Sequence, residues 1–320
     1  MPTPRNGDKT AVVFGRTTLI AALLAASLSS PLFAQTEATP AQSGDTATNA
    51  ADAENAAERI ALAGELRMLS QRVVSAACFL HAGLEPDSSR ETLALAVAEF
   101  ETIAAALQFG NADLGITLAE ERPRTLAGLM KLAEQWAPIG EHVRKVSGGE
   151  GSLEDISAIS AQSADLLDTI NRLVVQITSQ YARQTTVLTS DALRLDLAGR
   201  QRTLAQQIAK NGCLIAASID ANDSAAELRT AAANFEASMD ALRFGREDVG
   251  ILPPPDQAIV DSLADVARQW SFMSRIVTSL ADGQTVEGTT LGVMFLMSNQ
   301  VTDNMEMIVD QFAEASKLRS

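Results

Sequence analysis

Histidine is nearly missing from this chain: His81 and His142 are the only two in 320 residues. Neither recurs between the two internal copies described below, so neither a zinc site nor a histidine-dependent nucleophile is indicated. Cysteine is equally scarce, Cys78 and Cys213, which leaves room for at most one disulfide. Basic residues are outnumbered, 25 Lys and Arg against 40 Asp and Glu, for a net charge of −15. That balance argues against a nucleic-acid binder and against a polybasic membrane patch, both of which need clustered cations. An anionic ligand would have to be held by a local cationic site working against the global field. No P-loop and no G-x-G-x-x-G occurs, so no nucleotide cofactor is expected. Asp113 and Asp248 sit in F-G-x-x-D-x-G-I loops, where a turn or capping role outweighs acid–base work. The chain reads as a non-enzyme without cofactors or metal.

What is present supports well-packed cores in about two domains, with 46% hydrophobic and 20% charged residues. Residues 1–34 read as a secretory signal. Arg5, Lys9 and Arg16 form the basic region, 17–28 a mostly apolar run, and 31–34 end on a small cleavage residue, Ala34. A retained anchor is the alternative, although the run falls short of the ~20 residues a spanning helix needs. No later segment reads as apolar enough to span, so a soluble periplasmic product is expected, with no transmembrane span after signal cleavage. Residues 35–54, rich in Ala, Thr, Ser and acidic side chains with no apolar period, read as a flexible linker.

The organising feature is a repeat. A-G-E-L-R-M-L-S-Q-R at 63–72 returns 135 positions later as A-G-R-Q-R-T-L-A-Q-Q at 198–207, and Cys78 coincides with Cys213. The stretch 100–116 matches 235–251 at the same offset with nine of seventeen positions identical. Trp136 answers to Trp270 after a one-residue deletion, and Asp168 to Asp303. Within the first copy, Leu62, Leu66, Leu69, Val73, Ala76 and Leu80 recur at threes and fours, the spacing of one helix face. Three further helices follow, about 89–109, 124–146 with a kink expected at Pro138, and 153–182 with Ser152 as N-cap. The expected fold is all-α: two tandem four-helix bundles related by internal duplication, repeat 1 over 55–188 and repeat 2 over 189–320. Around 185–191, β-branched and capping residues suggest a turn, so that the bundles lie side by side; a continuous helix stacking them end to end is the alternative.

Beside the core stripe of the first helix runs a second one of mostly small residues, Ala63, Arg67, Ser70 or Gln71, Val74 and Cys78, answered by Ala198, Arg202, Ala205, Ala209 and Cys213. With Gly64 and Gly199 nearby, such a face invites close approach of another helix. An arginine in its middle is costly unless something anionic meets it.

The pattern A-G-x-x-R-M-x-S-Q-R, followed by F-x-x-x-L-x-x-L-x-x-G (Phe100, Ala104, Leu107 and Gly110; Phe235, Met239, Leu242 and Gly245), resembles the PilJ-type N-terminal sensor domain. That domain is shared by type IV pilus methyl-accepting chemotaxis transducers and NarX-like nitrate sensor kinases. The resemblance implies a periplasmic four-helix bundle in which nitrate or nitrite is held between signature arginines, here Arg67 and Arg202. One chain would then mimic a dimer about a pseudo-two-fold axis. The guanidinium fork suits a planar oxyanion, and Ser70, Gln71 and Gln206 are candidate further donors. A membrane-bound sensor or transducer would be the partner. The alternative is a protein–protein interaction module, docking on a receptor or pilus-associated component with no small ligand, its arginines paired with carboxylates. Cys78 and Cys213 each lie eleven residues beyond their arginine, on the same face about 16 Å along. If the first helices run parallel across the axis, the two can form a disulfide; two buried thiols are the other outcome.

Overall fold

The computed structural model describes residues 43–181 and 188–317. The signal-like stretch 1–34 and the first part of the linker lie outside the described residues. Eight α-helices follow in order: α1 (Ser43–His81), α2 (Pro86–Phe109), α3 (Pro123–Ser147), α4 (Leu153–Tyr181), α5 (Thr189–Ala216), α6 (Ala221–Phe244), α7 (Gln257–Ala281) and α8 (Gly288–Lys317). They form the two tandem bundles that the duplication predicts, α1–α4 and α5–α8. Among the described residues the only β-pairing is an isolated bridge in each repeat, Asn111 with Ile116 and Arg246 with Ile251.

α1 starts well before Asn55, so residues 43–54 of the expected linker are helix. Ala47, Ala50, Ala51 and Ala53 are the helix formers of that stretch. Leu188 is extended and precedes the first turn of α5; the rest of the junction, 182–187, lies outside the described residues. α3 runs through Pro138 as one helix. At the start of α4, Ser152 and Asp155 form a reciprocal cap: the Ser152 backbone N–H donates to the Asp155 carboxylate at 2.8 Å, and the Asp155 N–H to the Ser152 hydroxyl at 3.2 Å.

α1 and α5 are the central pair. α1 packs on α2 and α4, α5 on α6 and α8, and the two lie side by side. Their core stripe (Leu66, Leu69, Val73) and their small-residue stripe (Ala63, Val74, Ala198, Ala205, Ala209) are both buried. Burial on nearly all sides explains why neither helix shows a clean amphipathic pattern. One apolar cluster runs through both repeats. Ring pairs anchor each bundle in the same way: Phe100 lies 4.2 Å from Trp136 and Phe235 lies 4.5 Å from Trp270. Each indole N–H donates to the glutamate after the phenylalanine, Glu101 or Glu236.

Two points refine the sequence reading. The glycines beside the small-residue stripe add little to the approach: a Cβ at Gly64 would meet nothing within 4 Å, and at Gly199 only an Arg202 nitrogen at 3.8 Å. The close contact falls instead at Gly212, whose hydrogen faces the Met294 side chain of α8. Second, α2 is long and apolar enough to cross a membrane by length and composition, with a mean hydropathy of 1.4. Its alanines raise the index. In the fold it is a bundle helix, with Leu93, Ala96, Phe100, Ile103 and Leu107 buried on one face.

Candidate functional site

The signature stripes of α1 and α5 meet along the boundary between the repeats. Cys78 and Cys213 are joined by a disulfide, their Cα atoms 6.1 Å apart. Further toward the helix N-termini, Arg67 donates to Asp196 of α5 at 3.0 Å, and Arg202 reaches back to Glu65 of α1 at 4.0 Å. Equivalent positions meet at equivalent heights only if the two helices run parallel and in register.

Each signature arginine is thus met by a carboxylate from the opposite repeat. Both residues are 6% exposed, and bare burial of a guanidinium would be prohibitive without such partners. The arrangement is not symmetric. Asp196 stands where repeat 1 has Ala61, and Glu65 stands where repeat 2 has Arg200, which itself donates to Asp196 at 2.8 Å. Arg202 is also ion-paired with Glu306 of α8, and Arg72 pairs with Asp303 of α8 at 3.5 Å. Glu65, Arg72, Glu99, Asp303 and Glu306 line a cleft of about 380 Å³ at this boundary. Burial pushes the Glu65 carboxyl above its ordinary value, Glu99 and Asp310 adding to the effect while Arg202 and Arg72 oppose it. Burial lowers the pKa of Arg202, against the pull of Glu65, Asp310 and Glu99. The Nε atoms of Arg67, Arg72 and Arg202 are buried without a hydrogen-bond partner.

The other sequence-predicted donors are elsewhere. The Ser70 hydroxyl donates to the Arg67 carbonyl within α1, at 2.7 Å. The Gln71 amide donates to Ser70 and to Ser163 of α4. The Gln206 amide donates to Thr302 at 2.8 Å and to Asn299 of α8. These three residues do not donate to the space beside the arginines. Gln71 and Gln206 turn toward α4 and α8 and tie the central helices to their own bundles, while Ser70 bonds within α1.

Sequence reasoning missed a second arginine pair. Arg59 and Arg194 are each 1% exposed and bind backbone carbonyls at the end of the second helix of their repeat or in the chain beyond it. Arg59 donates to the carbonyls of Leu107, at 2.9 Å, and Leu118; Arg194 donates to that of Pro253, also at 2.9 Å. Arg59 faces the Tyr181 ring and Arg194 the Phe312 ring. The recurrence of arginine at the 135-residue offset, just outside the signature window, was the available signal. His142 pairs with Asp155 at 2.7 Å as part of the α4 cap. Among the described residues no cluster of His, Cys, Asp and Glu is arranged to hold a metal ion.

The model of the PilJ family, the type IV pili methyl-accepting chemotaxis transducer N-terminal domain, matches residues 48–162 and again 184–290. No curated protein matches the chain. The family is one of sensory transducer modules, and the two matched segments coincide with the duplication that the signature arginines, the tryptophans and the cysteines all obey. The chain belongs to the PilJ family and carries its domain twice in tandem.

Proposed function

We propose that this chain is an exported sensory module of the periplasm whose bundles dock on a membrane-bound receptor, transducer or pilus-associated component, with the arginine belt serving as an internal latch between the repeats. The observation that carries this reading is that Arg67 and Arg202 each face a carboxylate supplied by the other repeat. A nitrate or nitrite ion would have to displace groups tethered to the same molecule, whose effective concentration is on the order of millimolar or higher. The signal-like segment supports export, and a Cys78–Cys213 disulfide suits an oxidising compartment. Thermal-shift titration of the chain with nitrate, nitrite, sulfate and chloride is expected to give no selective stabilisation.

The buried, unpartnered Nε atoms of Arg67 and Arg202 favour a second reading. In it a small oxyanion enters the belt, Asp196 and Glu306 swing to solvent, and the planar forks grip the ion. A saturable nitrate response that strengthens in Asp196→Ala and disappears in Arg67→Ala would establish this reading and overturn the latch.

A further inference from the structure

α2 packs on α1 and α3 at the outside of its bundle, yet its composition is that of a helix with no water-facing side. It is apolar enough to cross a membrane, and only 33% of that apolar stretch is buried. A surface helix of a helical bundle carries polar residues on its outward face. Here Leu95, Ala98, Thr102, Ala105 and Phe109 are exposed at alternating steps of three and four, which sets them in one seam about 21 Å long. Leu95 is 62% exposed and Phe109 69%. A single exposed leucine is ordinary; an uncharged seam over about four turns marks a contact surface.

The second repeat shows that the fold does not require this seam. The same positions of α6 hold Thr230, Ala233, Ala237, Asp240 and Phe244, all exposed, in a helix with the same place in its bundle. A threonine and an aspartate thus stand where α2 has Leu95 and Ala105. The borders of the α2 seam are acidic. Helix geometry puts Glu99 on one edge and Glu101 on the other, and Glu99 opens onto the charged cleft with Asp303 and Glu306 of α8. The one cation of α2, Arg90, stands 3.7 Å from Asp87. A second copy of the chain would bring like charges together along the seam, and an anionic lipid surface would be repelled as well. Cationic borders complement it.

We propose that the outward face of α2 receives an amphipathic helix of the partner protein, one whose apolar stripe is bordered by lysine or arginine. The small side chains of Ala98 and Ala105 let the partner's backbone come close, Leu95 and Phe109 anchor it at either end, and Glu99 and Glu101 face its basic borders. This inference rests on the docking reading above and gives it a surface.

The probe is a labelled synthetic helix of about three heptads, with leucine and alanine at a and d and lysine at e and g. It is titrated by fluorescence anisotropy into the disulfide-intact chain at physiological salt. Saturable binding is expected, absent when glutamate replaces the lysines. Leu95→Thr with Ala105→Asp, which gives α2 the residues that α6 already carries, should weaken it about tenfold or more while circular dichroism and melting stay unchanged. Glu99→Gln with Glu101→Gln should weaken it too and flatten its salt dependence. No saturable binding, equal binding of a scrambled peptide of the same composition, or equal binding to either double variant would overturn the proposal. So would a dimer of the chain alone, or flotation on phosphatidylcholine vesicles, that is lost in Leu95→Thr with Ala105→Asp; the occupant would then be a second copy or lipid. A selective nitrate response in the anion titration would remove the docking reading without altering the peptide result, so the two failures are told apart.

Discussion

Replacing both half-cystines with alanine, Cys78→Ala with Cys213→Ala, releases a covalent link that spans a sequence separation of 135 residues. In the chain-entropy account, closing a loop of that length stabilises the folded state by about 5 kcal/mol, because the crosslinked unfolded chain has fewer conformations to gain. Alanine is the right replacement. Both sites are 1% exposed, and a serine hydroxyl there would add the cost of a buried, unpaired group. The apolar cluster shared by the repeats does not depend on the bridge, so the protein should stay folded at 25 °C and melt roughly 10 °C lower. Scanning calorimetry of the oxidised protein with and without dithiothreitol reads the same loss by a second route, and the two shifts should agree. A melting temperature unmoved in both arms, or two free thiols in non-reducing mass spectrometry, would refute the covalent clamp between α1 and α5 while leaving their side-by-side packing open.

Glu65→Gln tests the electrostatics of the belt. Burial holds the folded-state pKa of Glu65 above its ordinary 4.5, so its contribution is full below that value and is lost as pH rises through the folded pKa. Urea unfolding across pH 4–7 should find the variant no less stable than the parent at pH 7 and flatter in slope; a loss above about 1 kcal/mol at pH 7 would show that the Arg202 pair is net favourable. Asp155 has the opposite sign. The His142 side chain, with Ser152 behind it, holds its carboxyl well below the usual carboxylate range. Asp155→Asn should therefore destabilise at neutral pH, by an amount that shrinks as acid protonates the parent, and equal loss at pH 2 and pH 7 would contradict this. Gly64→Ala should stabilise by roughly 0.5–1 kcal/mol through helix propensity alone, whereas Gly212→Ala should cost about 1–3 kcal/mol by forcing the buried Met294 side chain to move. Chemical denaturation of the pair separates a glycine facing open space from one at a real helix contact.

The helical plan and the duplication were open to reading because they rest on local signals. Leucines at threes and fours, glycines ending α2 and α6, and tryptophans and cysteines repeated at a near-constant offset do not need a partner to be recognised. Roles that depend on helix rotation were harder. Ser70 and Gln71 are neighbours of Arg67 in sequence, yet each residue turns about 100° around the helix; both side chains settle against their own helix or α4. The small-residue stripe of Ala63, Val74, Ala198, Ala205 and Ala209 is buried as its composition suggested, whereas Gly64 beside it faces open space.

Sequence alone determined an acidic, all-helical chain built twice from one pattern, with an arginine and a cysteine on a shared face of each first helix. Only the tertiary structure decided what those arginines meet. Asp196 has no counterpart in repeat 1, and Glu65 is matched by an arginine in repeat 2, so the copies look unlike in alignment. Laid parallel, these mismatched positions become partners, because charge complementarity across an interface belongs to the register of two helices and is not written in either one.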